Sequence, residues 1–95
     1  MAEYRLSKGA REDLIRIHQY GVRQFGMAQA NAYFHTFFEY FEIIAQQPYS
    51  FESVDFIKPG YRRCPVGADA IYYRIVDSLV EIMAVIGKQD LENSI

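Results

Sequence analysis

The sequence predicts an α+β fold of two layers, with element order β-α-α-β-β-β and a helical hairpin packed on one face of an antiparallel sheet. Three observations predict it. Apolar residues recur four and three apart from Ala10 to Ile44, the spacing of one helix face. After Gly60 the pattern changes to the alternation of extended chain. The joints at Gly26, Gly67-Ala68-Asp69 and Asp77-Ser78 are short, so sequential elements fold back beside one another.

Glu3 to Leu6 reads as a short strand at a sheet edge, with Tyr4 and Leu6 on one side. Ser7 is an N-cap candidate, because its hydroxyl can accept from an unpaired amide of the first turn. A helix over Lys8–Phe25 follows, with Ala10, Leu14, Ile17 and Gly21 inward and Glu12 and Asp13 toward the positive end of its dipole. Gly26 stops it, since glycine takes a left-handed conformation without a Cβ clash. The second helix, Met27–Gln46, carries the stripe Ala30, Phe34, Phe37, Phe41 and Ile44 and ends before Pro48. A second apolar set, Tyr33, Phe38, Tyr40 and Ile43, lies off that stripe, more than one neighbouring face can absorb.

Gln47 to Pro59 reads as a loop pinned by Phe51, Val54, Phe56 and Ile57. Strands are expected at Tyr61–Val66, Ala70–Val76 and Leu79–Ile86, joined as an antiparallel meander. In the middle strand Ile71, Tyr73 and Ile75 face one way and Ala70, Tyr72, Arg74 and Val76 the other. The last strand is apolar except at Glu81, as expected of an interior strand. The sheet face that carries Arg74, and on this reading Arg62, is left with no covering element. Gly87 to Ile95 is a polar tail.

Ninety-five residues, 51% apolar and 23% charged with net charge −2, suit one globular domain over 1–95 and exclude intrinsic disorder. Nothing approaches the roughly 20 apolar residues that cross a bilayer, and the N-terminus lacks the order of a signal peptide, so the expected location is cytoplasmic. Aromatic residues make up 16%, a heavy load for a domain with little interior, which leaves rings for the surface or a partner. Charge is uneven. From Gln24 to Ile57 there are acids (Glu39, Glu42, Glu52, Asp55) and no base, whereas Lys58, Arg62, Arg63 and Arg74 then stand against Asp69 alone. Such a basic face suits phosphate or an acidic protein segment, or is a solvated strand face.

Enzyme chemistry finds few footholds. There is no Gly-rich phosphate loop and no His-Glu-x-x-His. His18 and His35 sit on different helices and read as structural, and Cys64, the single cysteine, reads as a small buried hydrophobe. No metal or cofactor is implied. Phosphodiester cleavage stays open, because Arg62, Arg63, Tyr72, Tyr73, Arg74 and Lys88 could supply cations and a proton donor on the sheet.

Several segments resemble one family in order along the chain. They are Tyr4-Arg5-Leu6-Ser7, then Ala10, Asp13 and Leu14, then Phe25-Gly26-Met27-Ala28-Gln29-Ala30 with Tyr33. Pro59-Gly60-Tyr61-Arg62-Arg63, Ile71-Tyr72-Tyr73-Arg74 and Val85-Ile86-Gly87-Lys88-Gln89-Asp90 follow. Together they resemble the ParE toxins of the RelE/ParE toxin–antitoxin superfamily across almost the whole chain. The resemblance implies the RelE/ParE-like fold and a toxin that binds and inhibits DNA gyrase, blocking replication without chemistry of its own. A ParD-like antitoxin would neutralise it in a hetero-oligomer of 2:2 or larger, with no membrane and no sequence-specific DNA contact. The runner-up is a ribosome-dependent mRNA endonuclease of RelE type, built on Arg62, Tyr72, Arg74 and Lys88.

Two departures weaken the nuclease reading. Ala84-Val85-Ile86-Gly87 stands where many members have Arg-Val-Leu-His, and Lys58 is the lone lysine in the loop before Gly60, where RelE-type nucleases are Lys-rich. The surplus apolar helical surface and the basic residues assign antitoxin binding to Leu14, Ile17, Tyr33, Phe37, Phe38, Tyr40, Arg62 and Arg74. Target contact is assigned to Arg63, Tyr72, Lys88, Gln89 and Asp90.

Overall fold

The structure, a computed structural model, describes residues 3–87. Strand β1 (Tyr4–Leu6) leads into helices α1 (Lys8–Phe25) and α2 (Met27–Gln46). Strands β2 (Glu52–Ser53), β3 (Arg62–Val66), β4 (Asp69–Val76) and β5 (Leu79–Gly87) follow. The sheet order is β1-β5-β4-β3-β2.

Local chemistry sets the helical hairpin. Ser7 has extended backbone, and its Oγ accepts the Ala10 amide at 3.0 Å. The turn between the helices is a single residue, Gly26, at φ 92° and ψ 164°, a region essentially closed to residues with a Cβ. Gly21 lies against Ala30, where an added Cβ would stand 3.2 Å from the Ala30 Cβ, so the helices approach closely there. The stripe on α2 is buried at Ala30, Phe37, Phe41 and Ile44 and only half-buried at Phe34.

The second apolar set is better covered than its pattern suggests. Tyr33, Phe38 and Tyr40 are half-buried and pack on the core. Phe34 meets the edge of His18 at 5.4 Å between ring centroids, Phe38 meets Phe41 at 5.3 Å, and Phe41 meets Tyr4 at 5.4 Å. Of that set, Ile43 alone stays exposed. The expected surplus on α2 is thus largely absorbed by α1 and β1.

The meander β3-β4-β5 is antiparallel, as the short joints require. Asp77 and Ser78 both take positive φ, 51° and 68°, the backbone of a two-residue hairpin turn. A bulge opposite Tyr72 and Tyr73 shifts the β4–β5 register.

Three expectations are corrected. The sheet is mixed, because β1 pairs parallel to β5 with Tyr4 opposite Val80. A three-residue strand carries no directional signal, since the side-chain period is two in either orientation. Next, the far sheet face is covered. The 47–61 segment passes around the β3 edge, pairs briefly as β2, and puts Phe51 on the helix side and Val54 on the other. Val54 and Tyr61 then close a second small core over Ala70, Tyr72, Ala84 and Ile86. Finally, Arg62 lies directly opposite Tyr73 and so shares the helix side, apart from Arg74.

Candidate interaction surface

An open groove of about 810 Å³ lies between the C-terminal half of α1, the N-terminal half of α2 and the β3–β4 turn. Ile17, Tyr20 and Phe25 line it from α1, Ala30 and Tyr33 from α2, and Asp69 from the turn. Tyr20 and Phe25 are more than half exposed, at 54% and 60%. Large apolar side chains beside a concave wall are the kind of surface that can accept an amphipathic segment. Its far wall is held by Tyr33, whose hydroxyl lies 2.8 Å from the Val66 carbonyl and 2.9 Å from Asp69 Oδ2. Burial, together with the bond to Asp69, raises the Tyr33 pKa, so the phenol stays protonated and can donate. Gly67 makes room for that ring, as a Cβ there would come within 2.9 Å of it.

The antitoxin-binding assignments fall into three groups. Leu14, Ile17 and Phe37 are core residues, 3%, 9% and 0% exposed, and the placing of Leu14 and Phe37 on a docking face is corrected; Ile17 only edges the groove. Their spacing marks an inward face, and periodicity cannot say which neighbour fills it. Tyr33, Phe38 and Tyr40 present part of their rings. Arg62 and Arg74 are separated by the sheet. The Arg62 guanidinium donates to the Phe51 carbonyl at 2.7 Å and lies 5.1 Å from the centre of the Tyr49 ring.

The basic face is largely neutralised. Arg74 donates to Glu81 at 2.8 Å, and Arg5 reaches the other oxygen of the same carboxylate at 3.1 Å. The Arg74 hydrogen bond, aided by Arg5, holds the Glu81 carboxyl below its usual pKa. Arg63 is bound to Glu52 at 2.8 Å. Both acids lie outside the Lys58–Arg74 window and meet the cations only across strands. The target-contact assignment of Tyr72 is corrected, for its side chain is fully buried beneath the 54–61 segment. Lys88, Gln89 and Asp90 lie outside the described residues.

A phosphodiester-cleaving group is not gathered by this arrangement. Tyr72 is buried, Arg74 is closed by Glu81, and Arg62 points to the helix side. Tyr73 is also interior; burial pushes its hydroxyl up to about 12, and it donates to the Pro48 carbonyl at 2.7 Å. His18 is bonded to Asn31 at 2.7 Å, and Cys64 is buried with its thiol pushed up to about 11. Among the described residues no cluster of His, Cys, Asp or Glu could hold a metal, and no helix is long and apolar enough to cross a membrane.

Sequence reasoning missed the groove and a set of bonds from α1 to β5. Asp13 is not a dipole partner; its carboxylate accepts the Val85 amide at 3.0 Å. The groove had a partial signal in Tyr20 and Phe25, which lie near the helical joint and off the inward face.

Comparison with known proteins gives a consistent answer. The family described as ParE toxin of type II toxin–antitoxin system, parDE, matches residues 4–91. Toxin ParE1 of Caulobacter vibrioides is 36% identical over 86 residues, covering 90% of this chain and 88% of that protein. A chain of the chromosomal ParDE system from P. aeruginosa superposes with TM-score 0.81 at 17% identity, over 92% of this chain and 96% of that one. A chain of the RelBE2 toxin–antitoxin complex from Mycobacterium tuberculosis gives TM-score 0.65 at 18% identity, over 92% and 98%. The order of motifs along the sequence, the helical hairpin on its five-stranded sheet and the match over nearly the whole length agree, and the chain belongs to the ParE toxin family of type II toxin–antitoxin systems.

Proposed function

We propose that this toxin acts by binding and not by catalysis, inhibiting DNA gyrase in the cytoplasm and so blocking replication, and that a ParD-like antitoxin holds it inactive. The observation that carries this reading is the family match over residues 4–91. The geometry supports it from the other side, because Arg62, Tyr72 and Arg74, which a messenger-cutting site would need together, are respectively turned away, buried and paired. Target contact is assigned to Arg63 and to Lys88, Gln89 and Asp90, the last three beyond the described residues.

The antitoxin segment docks in the α1–α2 groove as an amphipathic helix, with Tyr20 and Phe25 as aromatic anchors and Tyr33 on the opposite wall. Tyr40 and Ile43 extend the surface along α2, and Phe38, packed on Phe34 and Phe41, offers part of its ring on the other flank. The complex buries more than about 1,500 Å² in total, a standard-size interface on a small chain.

Supercoiling by purified gyrase tests the proposal directly. Loss of supercoiling at micromolar toxin is expected, relieved by the antitoxin. Full gyrase activity, with in-frame cuts in translated messages after induction, would transfer the function to the ribosome-dependent endonuclease.

A further inference from the structure

Helix α2 meets the sheet through apolar side chains, with one polar exception. Among the described residues, the hydrogen bonds between α2 and the sheet all come from the Tyr33 hydroxyl, at 2.8 Å from the Val66 carbonyl and 2.9 Å from Asp69 Oδ2. Val66 and Asp69 face each other across the β3–β4 turn, so these two acceptors bracket Gly67 and Ala68. The Tyr33 ring is fixed from the core side by buried Phe37, edge-on at 4.7 Å between centroids. On the other side it rests against Gly67, whose φ of 58° and missing Cβ let the ring approach the turn. Tyr33, Ala68 and Asp69 all line the α1–α2 groove. One phenol thus spans the corner between the helix and the end of the sheet, and both walls that it joins belong to the groove.

We propose that Tyr33 is a positioning residue for antitoxin binding, its hydroxyl holding the β3–β4 turn in place as the far wall of the groove. The inference rests on the reading of that groove as the docking site. A turn that is already held adds no ordering cost when a partner arrives, whereas a loose one must be ordered at the expense of affinity. Tyr33→Phe removes the strut and little else. The ring keeps its place on Phe37, and the apolar lining from Ile17, Tyr20, Phe25 and Ala30 is untouched. β3 and β4 stay paired from Arg62 opposite Tyr73 to Val66 opposite Asp69.

The test titrates full-length variants with the purified ParD-like antitoxin and follows backbone motion at Gly67 and Ala68 by nitrogen-15 relaxation in the free toxin. Tyr33→Phe should loosen those two residues and raise Kd about tenfold, the scale of one hydrogen bond to a charged group. Ser7→Ala is the control for stability. It removes the α1 cap at a comparable cost in folding, and Ser7 lies outside the groove lining, so its Kd should match wild type. Asp69→Ala cuts the strut from the other end, and Asp69→Asn, which keeps an acceptor, should bind nearly as wild type does. The double variant Tyr33→Phe/Asp69→Ala should bind about as weakly as the weaker single one, because both remove one shared link. Losses that multiply would mean two separate contacts with the antitoxin and would overturn the positioning role. So would a Ser7→Ala loss equal to that of Tyr33→Phe, or an unchanged Kd for Tyr33→Phe while Phe25→Ala binds weakly. If Tyr33→Phe does not fold, Asp69→Ala against Asp69→Asn carries the comparison. Wild-type affinity in both Phe25→Ala and Tyr33→Phe would refute the groove itself, and the positioning role with it.

Discussion

Replacing Phe25 by Ala should weaken antitoxin binding sharply and leave the free toxin's stability almost unchanged. Phe25 is the last residue of α1, and 60% of it is exposed at the mouth of the groove. A phenylalanine offers roughly 200 Å² to be buried, so about 120 Å² here still awaits a partner. At about 25 cal/mol per Å² that is worth ~3 kcal/mol. The alanine that replaces it recovers part of this, leaving a loss of about 2 kcal/mol, or a Kd weaker by roughly thirtyfold. A side chain this exposed contributes little to folding, so the urea midpoint should move by no more than about 0.5 kcal/mol equivalent. Isothermal titration of each variant with purified antitoxin gives the affinity. Phe56→Ala is the matched control, since Phe56 is even more exposed, at 78%, but lies on the 54–61 segment away from the groove. Wild-type affinity for Phe25→Ala together with a large loss for Phe56→Ala would refute the groove as the docking site.

Gly26→Ala should destabilise the toxin by about 1–3 kcal/mol, because φ 92° with ψ 164° admits no Cβ comfortably. An added Cβ there meets nothing within 4 Å, so the cost is purely conformational, and a urea midpoint equal to wild type would contradict it. Glu81, whose pKa lies below 4.5 in the folded state, adds stability that is complete above that value and disappears as pH falls through the lower, folded-state value. Its exposed arginine partners keep that contribution under about 1 kcal/mol, so Glu81→Gln should lower stability slightly at pH 7 and progressively less as pH falls through the folded-state value; chemical denaturation at neutral and acid pH would show it. Cys64, buried with its thiol pushed up to about 11, should resist iodoacetamide at neutral pH in the folded protein and react once urea unfolds it; rapid labelling of the native chain would show that the thiol is not buried.

What the sequence determined by itself is local or periodic. The bounds of α1 and α2 follow from the Ser7 cap, the Gly26 break and Pro48, each acting within a turn of its own position. The β3-β4-β5 meander follows from alternation and two tight turns, and the family from motifs spread along the chain. Other features were decided by tertiary structure, because each depends on residues that meet across large separations. Burial of Tyr72 required Val54 to come around the sheet edge. Glu81 collects Arg5 and Arg74 from two neighbouring strands, so a charge count along the chain saw a basic face where cross-strand pairing leaves little net charge. The parallel direction of β1 and the grip of Asp13 on Val85 arise from how α1 lies along β5. A side-chain period states which face of an element turns inward, and only the packed structure states what that face meets.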